Sequence, residues 1–146
     1  PRNREYQLES VHILDSESME GAFERTTAQP TEPRWQTIYG TCPSKSNSYR
    51  ISGNRLHKTA ALEKYEAAFF LQCNRYRNVG IQGEFEFRVR VFYPNRRPDL
   101  DGCFKVILDC LQRAKAIRND NRCVKIVAEK FLDRQDPRIE FCIVPV

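Results

Sequence analysis

The sequence predicts an α+β domain: a small mixed sheet of about four strands with two main helices packed on one face. Three observations carry that expectation. Residues 84–93 (EFEFRVRVFY) alternate apolar and charged side chains with the period of a half-buried strand. Residues 59–75 and 100–116 space their apolar side chains three and four apart, as helices laid on a sheet do. Two further strand-like runs, 123–132 and 139–144, close the chain. The chain has 146 residues, enough to bury one core, and its 40% hydrophobic and 29% charged residues are those of an ordinary globular domain. No apolar run reaches the roughly 20 residues of a membrane helix, and no secretory signal is visible. The cysteines at 42, 73, 103, 110, 123 and 142 show none of the close pairs typical of zinc sites. Reduced, mostly buried thiols in a cytoplasmic protein are therefore expected, with no membrane partner.

In chain order, residues 1–33 read as an acidic N-terminal extension and residues 34–146 as the folded domain. The extension carries a net charge of −4, so the +5 of the whole chain leaves +9 on the domain. A basic body is the footprint of a nucleic-acid binder, although surface charge also serves plain solubility. Within the extension only Val11, Ile13 and Leu14, with Met19 and Phe23, suggest a weak helix, and Pro30 and Pro33 end it. Residues 35–41 predict a short strand with Trp35, Thr37 and Tyr39 on one face. The polar loop PSKSNSYR (43–50) offers groups that bind phosphate oxygens, or that make turns with no ligand. Thr59 is an expected N-cap for a helix to about Arg75, with Ala61, Leu62, Tyr65, Phe69 and Cys73 as its apolar stripe. After the strand at 84–93, Pro94 to Pro98 leads to a helix from Leu100 to about Ala116. That helix is expected to bury Leu100, Cys103, Phe104, Ile107, Leu108, Leu111 and Ala114, with Asp101, Lys105, Asp109 and Gln112 opposite. Residues 119–121 form a turn, and 133–138 read as the connection of a hairpin joining the last two strands.

The chemistry concentrates between Arg96 and Asn121. Asp99 and Asp101 stand at the strand-to-helix junction, where they converge only if Asp99 is not yet helical. Pro98 favours that geometry by holding the preceding residue extended. Lys105 lies one turn beyond Asp101 on its face, and Asp120 follows the helix. Carboxylates gathered this way suit a hydrated divalent cation such as Mg2+, with Mn2+ as the alternative, and a cation at Lys105 suits a phosphate. Each residue also has a plain structural reading: Asp99 as N-cap, Asp101 and Lys105 as a surface ion pair, Asp120 as turn chemistry.

The spacing of these four residues resembles that of the RusA family of Holliday-junction resolvases, small homodimeric Mg2+-dependent endonucleases that cut four-way DNA junctions. The family's Asp-x-Asp pair, its Lys four residues later and its Asp after the helix fall on Asp99, Asp101, Lys105 and Asp120 without a gap. The resemblance implies that Asp99, Asp101 and Asp120 hold the metal and that Lys105 is catalytic. The loop PSKSNSYR also resembles the family's Pro-Ser-Asn loop. The chain departs from the pattern at Pro98, where the family often has Arg, at Gly102, where it often has Asn, and at Asn119, where it commonly has Asp. The resemblance further implies branched DNA as substrate and a homodimer, since resolving a junction needs two nicks and a two-fold axis supplies two sites. Candidate contacts to the DNA backbone are Lys45, Arg50, Arg55, Lys58, Arg88, Arg90, Arg96 and Arg97. The competing readings are a non-catalytic nucleic-acid-binding module and a nuclease selective for flaps, forks or RNA.

Overall fold

The computed structural model describes residues 33–146; the expected acidic extension lies, but for Pro33, outside the described residues. The predicted strand becomes β4 (Phe85–Tyr93), and every second residue of it is buried, as its alternation requires. It is an inner strand of a four-stranded sheet in which β1 (Gln36–Tyr39) and β5 (Cys123–Leu132) form the edges, in the order β1-β6-β4-β5, with β6 spanning Arg138–Pro145. β5 runs parallel to β4, whereas β6 runs antiparallel to both β4 and β1. β2 (Tyr49–Ser52) and β3 (Arg55–Lys58) form a separate two-stranded hairpin.

This topology corrects one expectation. β5 and β6 do not form a hairpin, because β4 lies between them. The stretch from β4 to β5 contains a helix, and a helical crossover returns the chain parallel to the strand it left. β4 keeps its other edge open, and β6 takes it. Residues 133–137 pass across the end of β4, where the Asp133 amide donates to the Tyr93 carbonyl at 2.8 Å.

The helices follow their sequence signals, with shorter ends. α1 (Ala60–Gln72) is capped by Thr59, whose hydroxyl accepts from the Leu62 amide at 3.2 Å. Leu62, Tyr65, Phe69 and Cys73 are buried as expected, but Ala61 is exposed. The second helical stretch begins as a 3₁₀ turn (Leu100–Cys103) and continues as α2 (Phe104–Arg113). It buries Val106 and Cys110 in addition to the expected Cys103, Ile107, Leu108, Leu111 and Ala114, while Leu100 and Phe104 are only half-buried. Lys115 ends the helix at φ +59°, a left-handed residue that frees the chain to turn. Residues 114–118 then bond to 78–81: the Asn78, Gly80 and Ile81 amides donate to Ala114, Lys115 and Ala116.

Both helices pack on the sheet face formed by Phe85, Phe87, Val89, Val91 and Tyr93. Phe141 of β6 anchors this core, with ring centroids 6.0 Å from Phe69, 5.6 Å from Tyr76 and 6.1 Å from Phe87. In β1, Trp35, Thr37 and Tyr39 share a face as expected, and it is the outer one. Gln36 and Ile38 point inward, and Trp35 lies outside against the Arg90 guanidinium, 4.2 Å from its ring centroid. The buried Gln36 amide is satisfied, accepting from the Arg75 amide at 2.8 Å and donating to the Gln72 carbonyl at 3.2 Å. All six cysteines are free, and five are buried.

Candidate active site

β4 ends at Tyr93, and Pro94 to Pro98 carries the chain over the top of the sheet. A side-chain amine from β5 fixes this segment: Lys130 donates to the carbonyls of Arg96 (3.2 Å) and Pro98. Asp99 follows in extended conformation (φ −82°, ψ 147°), so it is not helical. It sits at the N-cap position of the 3₁₀ turn, yet its carboxylate makes no capping bond. That removes the N-cap reading. Among the described residues, neither Asp99 nor Asp101 enters an ion pair, and both are exposed.

These two carboxylates line an open cleft of about 740 Å³. Its other wall is the loop 41–47, which includes the first half of the phosphate-binding candidate 43–50, and Arg97 and Lys105 complete it. The loop is held against the 3₁₀ turn by the Lys45 amide, which donates to the Gly102 carbonyl at 2.8 Å. Gly102 explains itself here: a Cβ at this position would stand 3.0 Å from the Ser44 Cβ. The departure to glycine lets the loop close over the start of the helix. Ser44 Oγ is buried with no hydrogen-bond partner among the described residues, at the cleft wall. An orphan hydroxyl beside two open carboxylates fits a site that receives a hydrated cation or a phosphate oxygen.

The cations of the cleft are held by acids behind it. Lys45 Nζ pairs with Asp109 at 2.9 Å and donates to the Tyr49 hydroxyl at 2.8 Å. Lys105 Nζ pairs with the other oxygen of Asp109 at 3.1 Å, and also with Asp120. Asp109 therefore bridges two lysines. Partial burial pushes its carboxyl up, but the Lys45 and Lys105 ammoniums outweigh that and hold it below the usual carboxylate range. The hydrogen bonds from Lys105 to Asp120 and then Asp109 raise the Lys105 ammonium above its usual value. For Lys45, burial works downward, and its bonds to Tyr49 and Asp109 raise it on balance.

Asp120 stands apart from the other two acids. Because β5 is parallel to β4, its first residue, Cys123, lies opposite Phe85, at the far end of β4 from Asp99. Asp120 just before it meets α2 along its side, its amide donating to Gln112 Oε1 at 3.0 Å and its carboxylate taking Lys105. Asn119 serves as a cap, its Oδ1 accepting from the Asn121 amide at 3.1 Å. Among the described residues no three acids, thiols or imidazoles stand close enough to hold one ion in this arrangement. Asp99 and Asp101 line one cleft, and two carboxylates completed by waters and substrate phosphate are a coordination that hard divalent cations accept.

The candidate DNA contacts divide by position. Lys45 and Arg97 line the cleft, and Arg96 lies beside Lys130 on its flank. Arg50, Arg55 and Lys58 are on the β2–β3 hairpin, where Lys58 pairs with Glu66 at 3.0 Å. Arg88 and Arg90 lie on the sheet face turned away from the helices, paired with Glu86 at 2.6 Å and with Glu140 at 3.5 Å. Sequence reasoning missed three contributors. Asp109 was visible as an acid one turn beyond Lys105. Ser44 lies in the loop 43–50 that was singled out, though not by its own number, and Lys130 acts through a tertiary contact that leaves no mark on local pattern.

A basic α+β domain that presents two open carboxylates and flanking lysines at the head of a strand–helix crossover has the groups that metal-dependent phosphodiester hydrolysis on nucleic acid uses. The particular family follows from comparison with known proteins: the profile of endodeoxyribonuclease RusA matches residues 39–143, and the chain belongs to that family. No individual curated protein matches it. The protein is thus a RusA-family Holliday-junction resolvase, a crossover junction endodeoxyribonuclease of recombination and repair, and its family is metal-dependent. Its substrate class is junction DNA, and no helix among the described residues is long and apolar enough to cross a membrane.

Proposed function

We propose that the cleft hydrolyses junction strands with Mg2+, Mn2+ being the alternative, held by Asp99 and Asp101 with Asp120 as third carboxylate. The observation that carries this reading is the pair of carboxylates without ion-pair partners that line one cleft with Lys45 and Lys105. A bound divalent cation would supply charge neutralisation at the phosphate and would make its bound water easier to deprotonate to the attacking hydroxide. The chain's own residues do the rest. Lys105 exchanges Asp120 for a non-bridging phosphate oxygen, a movement of one long side chain, and bringing the freed Asp120 to the metal takes in addition a shift of the 120–122 turn. Lys45, kept charged by Asp109, holds a second oxygen and favours the extra negative charge of the transition state. Ser44 Oγ and Arg97 position the backbone on either side. Arg50, Arg55 and Lys58 extend the contact along the hairpin. Arg88 and Arg90, committed to acids on the other sheet face, have the least support as contacts.

Two nicks require two copies, and β5 supports a homodimer. It is an edge strand on which Val124, Ile126, Val127, Phe131 and Leu132 are exposed. Antiparallel pairing of two β5 strands about Val127 sets Lys125 opposite Glu129 of the partner subunit twice over, with no like charges opposed. Both helical layers then share one face of a continuous sheet. The free cysteines support a cytoplasmic location. The test is incubation of the purified protein with a synthetic four-way junction, a fork and linear duplex, with and without Mg2+. Symmetric nicking of the junction alone, only with metal, is expected. Equal cutting of fork and duplex would overturn the junction assignment, and cutting without added metal in chelator would overturn the metal site.

A further inference from the structure

The β2–β3 hairpin is hydrogen-bonded to no strand of the main sheet and projects from the loop that walls the cleft. Its register pairs Tyr49 with Lys58, Arg50 with His57, Ile51 with Leu56 and Ser52 with Arg55. Opposed residues of an antiparallel pair share a face, so Tyr49, Ile51, Leu56 and Lys58 lie on one side of the ribbon. At its base that side is occupied, for Tyr49 contacts Lys45 and Lys58 contacts Glu66. Two residues further out, about 7 Å along the strand, Ile51 and Leu56 are 78% and 66% exposed. The other side carries Arg50, Arg55 and His57, and residues 49–58 contain no carboxylate. Gly53 closes the tip at φ +64°, a left-handed turn that keeps the ribbon narrow.

An aliphatic pair at the tip of a cationic two-stranded ribbon is matched by a partner that is polyanionic outside and apolar where it opens. Branched DNA has that character: phosphates line its arms, and base faces at the crossover are only partly stacked. We propose that the hairpin is a wedge. Ile51 and Leu56 enter the branch point against unstacked bases, as apolar side chains do when they part a base step, while Arg50 and Arg55 hold the flanking phosphates. The inference rests on the junction reading above and adds to it the element that separates the bases beside the scissile strands. The tip stands on the same loop as Lys45, so parted bases and cleft address neighbouring nucleotides.

The experiment uses the full chain in chelator, where no cutting intervenes, and junctions carrying 2-aminopurine beside the branch point. Binding of the native protein is expected to raise the fluorescence about threefold. The variant Ile51→Ser/Leu56→Ser is expected to lose most of that rise while its junction affinity falls by less than about tenfold, and Ile51→Val/Leu56→Val is expected to keep it. Arg50→Ala/Arg55→Ala is expected to flatten the salt dependence of binding by about two phosphate contacts. An undiminished rise with the serine variant would overturn the wedge and leave the junction reading standing. No binding of junctions by the native protein would overturn both. Loss of the dimer in the serine variant, measured by sedimentation, would assign the pair to a second copy of the chain and also overturn the wedge.

Discussion

Gly102 is where the cleft wall and the start of the helix come closest, and Gly102→Ala tests that contact. Two effects oppose each other. Replacing glycine in a helical turn stabilises a protein by about 0.4–1 kcal/mol, mainly by restricting the unfolded chain. The new methyl would stand 3.0 Å from the Ser44 Cβ and 3.8 Å from its Cα. Carbon atoms settle at about 3.5–4.0 Å, so the loop must retreat by roughly half an ångström. It is tied to this very residue through the 2.8 Å bond from the Lys45 amide. Overpacking of this kind costs about 1–3 kcal/mol, which exceeds the gain. The expected net loss is about 1 kcal/mol, a fall in Tm of about 4 °C for a domain of this size, measured by calorimetry. The displaced loop carries Lys45 away from the cleft, so junction cleavage is expected to slow about tenfold with the metal dependence unchanged. A raised Tm would refute the reasoning, because it would mean that the loop does not rest on the 3₁₀ turn.

Three further outcomes are expected. Asp101→Asn abolishes cleavage while junction binding survives or tightens, since a negative charge facing phosphate is removed; retained nicking in a gel assay would displace Asp101 from the site. Asp109→Asn loses two partly exposed ion pairs, about 1 kcal/mol in all. Because the Asp109 carboxyl is depressed in the folded state, its stabilisation is full above the unfolded value near 4 and is lost as pH falls through the lower folded value. Native and variant melting curves should therefore differ at pH 7 and converge in stronger acid, and a gap that widened in acid would reverse the assignment. Glu129→Lys places lysine opposite lysine across the proposed β5 pairing and should give monomers in sedimentation. Adding Lys125→Glu should restore the dimer, and a double variant that stayed monomeric would move the interface elsewhere.

What the sequence showed and what it hid have physical causes. The strict alternation of β4 and the Thr59 cap are local patterns that appear where the sequence put them, and the apolar stripe of α2 does so for Ile107, Leu108 and Leu111. The order of strands was not legible, because β5 is exposed on both faces at an edge and carries no alternation that would name its neighbour. That single ambiguity produced the hairpin expectation and hid where Asp120 would fall. Ala61 misled for a simpler reason: its small apolar side chain scores as core but is exposed. Asp99 and Asp101 were placed correctly at the strand–helix junction because Pro98 and the end of a clear strand fixed the backbone there.

The central position of β4 has a consequence for how this protein tolerates damage. It is bonded along nearly its whole length on both edges, to β5 and to β6, so its amides should be the slowest in the domain to exchange with solvent. Asp99 and Asp101 lie six and eight residues beyond its last paired residue, Tyr93. Local opening of the hairpin can thus come and go without loosening the carboxylate pair, so the element proposed to handle DNA can move while the proposed metal site stays put; opening of β5 would instead release the Lys130 bonds that hold residues 96–98.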